Sequence, residues 1–276
     1  MSDHVHWQLN GSAPELYQRY LVPAITSIWA DDLVDRTQPK PGDAVLDIAC
    51  GTGVVTRLVA ERMVTGRIAG LDFNPGMLAV ARSLPSKGAS IEWFEGSALN
   101  LPFSDNSFNI VLCQLGLQFF PDRPLAIREM KRVLTPWGRV ALSVYSAIEN
   151  TPAAYAFVGA LDRRLGSDAS KIKRAEHAFP RAAEIEALMA AEGFEQVRTS
   201  TISKHITFPS VLDYVRFQLV ATPMAGLLSD RNDHEREIVI KEVAAETQSR
   251  LGPEMLQDGR LTFPQEAHVA TAARGA

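Results

Sequence analysis

Cysteine is scarce in this chain: the two that occur, Cys50 and Cys113, both lie at the ends of predicted strands. A disulfide framework of the secreted kind is therefore not expected. The sequence also lacks an apolar run of membrane-spanning length, a signal-peptide pattern at its start and a long basic run. With a formal net charge of −4, these absences predict a cytoplasmic globular protein with no membrane span and no nucleic-acid partner.

The most informative stretch begins as an apolar run, Ala44–Ala49, which is typical of a strand buried on both faces. The turn Cys50-Gly-Thr-Gly53 follows, and then an apolar segment that favours a helix. Glycines without a Cβ let a ligand approach the backbone closely, and the free N–H groups of the helix N-terminus attract negative charge. This strand, glycine turn and helix predict the first unit of a nucleotide-binding α/β sheet.

Two familiar nucleotide sites are disfavoured by residues that are missing from this turn. A dinucleotide fingerprint requires a third glycine where Thr56 stands, and a phosphate-binding loop requires a lysine that is absent. Two acids stand here instead: Asp47 within the first strand and Asp72 after the second apolar run. An acid at the tip of a second strand can accept hydrogen bonds from both hydroxyls of a ribose.

At these residues the chain resembles the class I S-adenosylmethionine-dependent methyltransferases. The matching motifs are Val45-Leu-Asp-Ile-Ala-Cys-Gly-Thr-Gly53 and Gly70-Leu-Asp-Phe-Asn-Pro-Gly-Met77. The block from Leu101 to Leu142 is similar to the small-molecule branch (type 11), which includes ubiquinone/menaquinone-type C-methyltransferases. Within that block the resemblance lies in Leu-Pro-Phe, Ser-Phe-Asn, Phe-Pro-Asp and Glu-Met-Lys-Arg-Val-Leu followed by Trp-Gly-Arg.

The resemblance implies a cofactor, S-adenosyl-L-methionine, and a set of residues that hold it. The first loop would wrap the methionine part, Asp72 would hold the ribose, and apolar residues would flank the adenine. Ser97 stands where many members carry an acid, and the N–H of Ala98 would address the adenine ring. The implied cofactor-binding residues are Asp47, Ala49, Gly51, Gly53, Asp72, Phe73, Met77, Gly96, Ser97, Ala98, Gln114, Leu115, Gln118 and Tyr17.

Strands alternate with helices from about residue 44 to residue 146, which predicts a mostly parallel sheet with right-handed crossovers. By resemblance we expect an α/β, Rossmann-like sheet of seven strands, with an antiparallel last strand and a helical cap. Segments 195–206 and 261–271 would form the final antiparallel pair. Residues 1–40 are expected to be an N-terminal helical arm or lid, and residues 41–276 the methyltransferase domain, with cap insertions at about 150–178 and 207–260.

Local secondary-structure signals add further expectations. Residues 1–13 look like a flexible arm, and Pro23 is expected to kink or split the helical pattern from Pro14 to Arg36. Asn74 and Asp122 are plausible helix N-caps, each followed within two residues by a proline. Residues 136–138 are expected to form a turn before the fifth strand.

Candidate catalytic residues are His177, which lies in the predicted cap, and Gln114, which follows the fourth strand. No histidine, including His4 and His6, has a metal-ligand spacing, so no metal site is predicted. The basic stretch Lys171–Arg174 can attract an anionic acceptor or form a solvated helix face.

The leading hypothesis is methyl transfer from S-adenosylmethionine to a small organic acceptor, and the aromatic cap predicts that this acceptor is largely apolar. Positioning can supply much of the rate enhancement, so a base is needed only if the acceptor must lose a proton. The alternatives are a non-catalytic cofactor-binding or regulatory protein, a protein or nucleic-acid methyltransferase, and a dehydrogenase. A homodimer is compatible with the sequence.

Overall fold

The computed structural model describes residues 13–276. The predicted flexible arm, apart from Ala13, and its residues His4 and His6 lie outside the described residues. The strands are β1 (Ala44–Ile48), β2 (Arg67–Asp72), β3 (Ile91–Glu95), β4 (Phe108–Gln114), β5 (Leu134–Tyr145), β6 (Glu195–Phe208), β7 (Leu256–Gln257) and β8 (Arg260–Ala273).

The first helices precede β1, and the later ones lie between strands. The α-helices are α1 (Ala13–Leu16), α2 (Ser27–Thr37), α3 (Val54–Arg62), α4 (Pro75–Ser83), α5 (Arg123–Val133), α6 (Pro152–Leu165), α7 (Lys171–Ala175), α8 (Ala182–Ala191), α9 (Val211–Val220) and α10 (Asp233–Gln248). We call α6, α7, α9 and α10, with the turns beside them, the cap. Short 3-10 turns cover Leu117–Phe119, Ile148–Asn150, Pro223–Leu228 and Pro253–Met255.

The described strands form one mixed sheet in the order β3-β2-β1-β4-β5-β8-β6, with β7 paired to β8. Strands β1 to β5 pair in parallel, whereas β8 is antiparallel to both β5 and β6. This Rossmann-like plan confirms the predicted fold class and the final antiparallel pair. The expected count of seven strands is wrong by one, because the two-residue β7 adds an eighth strand.

Two apolar layers enclose the sheet, as expected for parallel strands that are buried on both faces. Helices α2 and α3 cover one face and α5 and α8 cover the other. Side chains of Asn74 and Asp122 accept backbone N–H groups at the N-termini of α4 and α5, which confirms both predicted caps. The predicted turn at residues 136–138 lies inside β5, where Trp137 has a φ of 64°.

A third apolar core joins the first helices to the cap. It contains Trp29, Phe157, Phe208, Tyr214 and Phe263, all at most 2% exposed. The indole N–H of Trp29 also donates to Gln265 Oε1 over 2.8 Å, which ties α2 to β8. The N-terminal helices are therefore packed into the same core as the cap.

Proline at position 23 does not split the first helical run into two helices, but the helix changes type around it. Helical residues are continuous from Ala13 to Thr37, and the part from Tyr17 to Thr26 is a π-helix that contains Pro23. At its end, Ser27 N donates to Val22 O, five residues back. The wider π turn accommodates a proline ring and a missing N–H that a regular α-helix would not. We call Tyr17–Thr26 the π-helical segment.

Candidate functional site

A cavity of about 290 Å³ opens at the carboxyl ends of β1, β2 and β4, between the sheet and the cap. This is the edge at which open α/β sheets bind ligands. Most of the residues that the sequence indicates for cofactor binding or catalysis meet at this cavity. Those that line it are Tyr17, Asp47, Ala49, Gly51, Asp72, Phe73, Met77, Gly96, Ser97, Ala98, Gln114 and Leu115, whereas Gly53, Gln118 and His177 do not.

The glycine turn after β1 approaches the cavity with its backbone. Ala49 and Gly51 both have positive φ, at 56° and 57°. A Cβ at Gly51 would meet no atom within 4 Å, so the turn is open on that side. Gly53 has a φ of 83°, and a Cβ there would collide with the ring of Trp93. Gly53 does not line the cavity, and its missing side chain makes room for Trp93; its role in cofactor binding stays a prediction.

Asp72 connects the glycine turn to helix α4. Its Oδ2 accepts the N–H of Gly51 over 2.7 Å, and its Oδ1 accepts the N–H of Asn74 over 2.8 Å. Burial raises the pKa of Asp72, and these backbone N–H groups act in the opposite direction. The backbone N–H of Phe73 also acts on this carboxylate, so of its roughly four acceptor positions about one remains for a ligand hydroxyl group.

Asp47 is almost completely buried, at 2% exposure, at the start of the same turn. The hydroxyl of Thr56 donates to its Oδ2 over 2.5 Å. Burial raises the pKa of Asp47 to about 7, and the hydrogen bond from Thr56 limits the rise. Thr56, which replaces the third glycine of a dinucleotide fingerprint, is therefore the partner of this acid.

The side of the cavity at the ends of β2 and β3 combines apolar side chains with a polar turn. Phe73 is 49% exposed at the rim, and Met77 is buried against Tyr17. The hydroxyl of Ser97 accepts the N–H of Leu99 over 3.1 Å, which keeps one lone pair and its own proton for another partner. Such a surface suits a flat ring with polar edges.

The two glutamines after β4 separate. Gln114 lines the cavity, and its Nε2 donates to Thr26 O over 2.8 Å, while its buried Oε1 has no partner in the described structure. Gln118 turns away through the 3-10 turn, and its Nε2 donates to Leu115 O over 2.9 Å. The N–H of Leu115 donates to Ser143. Gln118 therefore lies outside the cavity, whereas Leu115 lines it although its N–H is already engaged; a role of either residue in cofactor binding stays a prediction.

His177 lies behind the cavity wall and not in it. Its ring stacks on Tyr145, which does line the cavity, and its Nδ1 is 2.7 Å from Ser146 O. Burial lowers the pKa of His177 to about 3, and the positive charge of Lys173 adds to this effect. A neutral, weakly basic imidazole outside the cavity does not fit the predicted role of a general base.

The cap contributes residues that the sequence interpretation missed. Of the basic stretch at 171–174 only Lys173 reaches the cavity, together with Glu176. Their charges lie 2.5 Å apart and are nearly inaccessible to solvent. Gln218 also lines the cavity with a buried, unpartnered Oε1. Around them the wall is apolar, formed by Leu21, Ile25, Phe119, Phe120, Pro121, Tyr145, Ala221 and Pro223.

These features fit an adenosyl sulfonium compound. Asp72 has acceptor capacity left for a ribose, the open glycine turn lets a ligand approach the backbone closely, and Phe73 with Met77 offers apolar faces for a base. Among residues 13–276 no group of metal-ligating side chains is found. A third glycine and a phosphate-loop lysine are absent, as the sequence indicates.

Comparison with known proteins decides the family. Residues 21–208 match the model of the ubiE/COQ5 methyltransferase family. The chain belongs to the ubiE/COQ5 methyltransferase family. This methyltransferase uses S-adenosylmethionine as its cofactor, and its cavity suits a small, largely apolar acceptor. A non-catalytic role is not favoured by this membership.

Individual relatives agree with the family assignment. The methyltransferase is 35% identical over 181 residues to the 2-phytyl-1,4-naphtoquinone methyltransferase of Thermosynechococcus vestitus, covering 62% of this chain and 80% of that protein. It is 36% identical over 137 residues to the demethylmenaquinone methyltransferase of Corynebacterium kroppenstedtii, covering 49% of this chain and 56% of that protein.

A solved structure shows the same fold at lower sequence identity. Haemonchus contortus phosphoethanolamine N-methyltransferase 2, in complex with S-adenosyl-L-methionine, has a TM-score of 0.56 and 18% identity. The match covers 90% of this chain and 53% of the other. At this identity the likeness concerns the fold alone.

Proposed function

We propose that this methyltransferase methylates a ring carbon of a 1,4-naphthoquinone-type acceptor in its reduced, dihydroxy form. The observation that carries the proposal is the apolar wall of the cavity around Lys173 and Glu176, to which Phe119, Phe120 and Tyr145 contribute aromatic rings. The names of the two relatives, which both concern naphthoquinones, support the same acceptor class.

The reduced form follows from the chemistry of the transfer. Bound S-adenosylmethionine supplies an electrophilic methyl group, so the acceptor carbon must be electron-rich. A quinone ring is electron-poor, whereas its dihydroxy form donates electron density to the ring carbons. The buried amide oxygens of Gln114 and Gln218 are unpartnered, and they can accept hydrogen bonds from hydroxyl groups.

The residues that hold the cofactor belong to this proposal. Asp72 would accept the ribose hydroxyls, while the turn at Ala49 and Gly51, together with Asp47, would surround the methionine part. Apolar and small residues would enclose the adenine: Phe73, Met77, Gly96, Ser97 and Ala98. Gln114 would lie at the junction between cofactor and acceptor, because it ends β4 and donates to the π-helical segment.

The domain division is also proposed. Within residues 1–40, the π-helical segment would act as the lid, since Tyr17, Leu21, Ile25 and Thr26 line the cavity. Tyr20 stacks on Phe217 of α9 with ring centroids 4.2 Å apart, which joins this lid to the cap. Residues 41–276 would form the methyltransferase domain, with the insertions at about 150–178 and 207–260 as the cap.

The cellular compartment and the binding partners are also part of this proposal. No described helix combines the length and apolar character that crossing a bilayer requires. Both cysteines are free and buried, which fits a reducing compartment such as the cytoplasm. We expect no nucleic-acid partner because the net charge is −4, and a homodimer is compatible with this proposal.

The test is a methyl-transfer assay with a chemically reduced, prenylated 1,4-naphthoquinone under anaerobic conditions. Mass spectrometry is expected to show an acceptor that has gained one CH₂ unit on the ring, together with S-adenosylhomocysteine. The same quinone kept oxidised is the control and is expected to give no product. Turnover of neither form, with cofactor binding intact, would reject the proposed acceptor class.

A further inference from the structure

A buried ion pair stands in the cap side of the cavity wall, where cofactor binding does not explain it. Lys173 Nζ and Glu176 Oε2 are 2.5 Å apart, and their side chains are 8% and 7% exposed. Both residues line the cavity. Removing two charges from water costs several kcal/mol per ion, so a buried pair is weak evidence for stability and invites a functional explanation.

The aromatic groups around this pair cannot serve as bases near neutral pH. Burial raises the pKa of Tyr17 to about 12, and the carboxylates of Asp72 and Glu176 add to the rise. Burial likewise raises the pKa of Tyr145 and Tyr214 above the ordinary phenol value, again with a contribution from Glu176. All three hydroxyls therefore keep their protons.

Three carboxyl groups line the cavity in the part of the chain that the structure describes: Asp47, Asp72 and Glu176. Asp47 accepts the hydroxyl of Thr56, and Asp72 accepts backbone N–H groups of the glycine turn and of the residue before α4. Glu176 comes from the cap, and its partner is Lys173. Glu176 is therefore the carboxylate on the cap side of the cavity, where the proposed function places the acceptor.

We propose that Glu176 is the general base that removes a hydroxyl proton from the acceptor, and that Lys173 is a positioning residue for this carboxylate. The inference rests on the proposed function, because it requires a hydroxylated ring as acceptor. His177 does not compete for this role, since its Nδ1 is engaged by Ser146 O and its ring lies behind Tyr145.

The step balances in atoms and electrons. The acceptor O–H bond breaks, its proton goes to Glu176, and the electron pair of the oxygen is delocalised onto the ring. A ring carbon forms a bond to the methyl carbon while the methyl–sulfur bond breaks, and that bonding pair stays on the sulfur. The methylated carbon then releases its hydrogen as a proton to solvent, and the oxygen takes back the proton held by Glu176, which restores the dihydroxy aromatic ring and the ionised base.

A base is useful here because a phenol-like hydroxyl has a pKa of about 10 and is almost entirely protonated at neutral pH. A positioned general base typically contributes about 10²- to 10⁴-fold in rate. When the pH approaches the pKa of the hydroxyl, the acceptor ionises in solution and the contribution of the base is no longer needed.

The decisive variant is Glu176→Gln in the full chain, assayed with the reduced naphthoquinone. We expect kcat/KM at pH 7 to fall by about 10²- to 10⁴-fold and to recover as the pH approaches about 10. Affinity for S-adenosylhomocysteine, measured by calorimetry, should stay unchanged. Glu176→Asp should restore part of the rate, because it retains a carboxylate.

The matched control is Glu184→Gln on α8, which breaks another ion pair with (i, i+3) spacing, to Arg181, at the surface. It should leave kcat/KM unchanged. Lys173→Met tests the positioning role: without its ion-pair partner the Glu176 carboxylate loses its fixed orientation, so kcat should fall while KM and the affinity for S-adenosylhomocysteine stay near the wild-type values.

Several results would overturn the assignment of the base. One is an unchanged kcat/KM in Glu176→Gln, and a second is a loss of kcat/KM that is equal at every pH. A third is a loss of kcat/KM that is accompanied by weaker cofactor binding and a lower melting temperature. Failure of the proposed function is separate: it shows as a wild-type enzyme that does not methylate the reduced naphthoquinone at all.

Discussion

Asp72 illustrates how one side chain can organise a binding site while it keeps capacity for a ligand. Its two oxygens fix the N–H groups of Gly51 and Asn74, so the glycine turn and the N-terminus of α4 are held by the same carboxylate. With the N–H of Phe73 as a third donor, the carboxylate still keeps roughly one of its four acceptor positions for a ligand hydroxyl. Loss of this residue therefore removes ligand contacts and the order of the turn together.

Replacing Asp72 by Ala is expected to weaken binding of S-adenosylhomocysteine by at least about 10-fold, because hydrogen bonds to a charged group contribute about 1.5–3 kcal/mol each. Titration calorimetry measures the change. Glu92→Gln, which breaks the ion pair with Arg67 on strands β2 and β3, is the control and should bind normally. An affinity in Asp72→Ala close to that of wild type would contradict the assigned role.

The raised pKa of the buried Asp47 carboxyl predicts an unusual dependence of the free energy of unfolding on pH. Because burial raises its pKa from 3.8 to about 7, the folded protein binds this proton more tightly than the unfolded chain. The free energy of unfolding should therefore decrease as the pH rises from about 4 to about 7, by up to roughly 1.4 kcal/mol per unit of pKa shift.

Urea unfolding of wild type and Asp47→Asn between about pH 5 and about pH 8 tests this dependence. The isosteric amide carries no titrating proton, so the stability difference between the two proteins should shift in favour of the variant as the pH rises. A difference that is constant over this range would show that Asp47 titrates normally.

At the scale of elements, the π-helical segment is joined to the end of β4 by a hydrogen bond from Gln114 to the carbonyl of Thr26. Gln114→Leu removes this bond at similar volume and should speed amide hydrogen exchange in the π-helical segment. An effect of about 1 kcal/mol is expected from one hydrogen bond. Gln257→Leu, at an exposed glutamine with a similar bond to a backbone carbonyl, is the control. Equal exchange rates in all three proteins would exclude the proposed tether.

Elements with a strong local signal are predictable from the sequence. Apolar runs identify β1, β2 and β4, and the Asn74 and Asp122 caps locate α4 and α5, because these features depend on neighbours in the chain. The π-helical segment is not predictable in this way, since Pro23 normally interrupts a helix and only tertiary packing can select the wider turn.

The same limit applies to the site. The acids at strand tips can be found because parallel strands bring their carboxyl ends to one edge. Lys173 and Glu176 do not stand out as a pair, since charged residues in a helix usually face solvent and their burial depends on the cap. Gln114 and Gln118 look equivalent in sequence, and only the 3-10 turn at Leu117–Phe119 separates them.

At the scale of the molecule, the core shared by the first helices, the cap and β8 predicts that these parts unfold together. Phe157 is fully buried there and forms an edge-to-face contact with Tyr214. Phe157→Ala should cost about 3–5 kcal/mol, with circular dichroism and tryptophan fluorescence reporting one transition. Tyr155→Ala, at a residue of the same helix that is 52% exposed, should change stability by less than about 0.5 kcal/mol. Two separated transitions would show that the cap is an independent unit.

The position of β8 between β5 and β6 has a consequence for biosynthesis. Strand β6 pairs with β8 alone among the described strands, and β8 follows it in the chain only after the helices α9 and α10. While a ribosome is still producing that interval, the nascent polypeptide carries bare strand edges on β5 and on β6, which are surfaces prone to self-association. Chaperone binding during translation is thus most valuable to this protein just before residues 260–273 emerge.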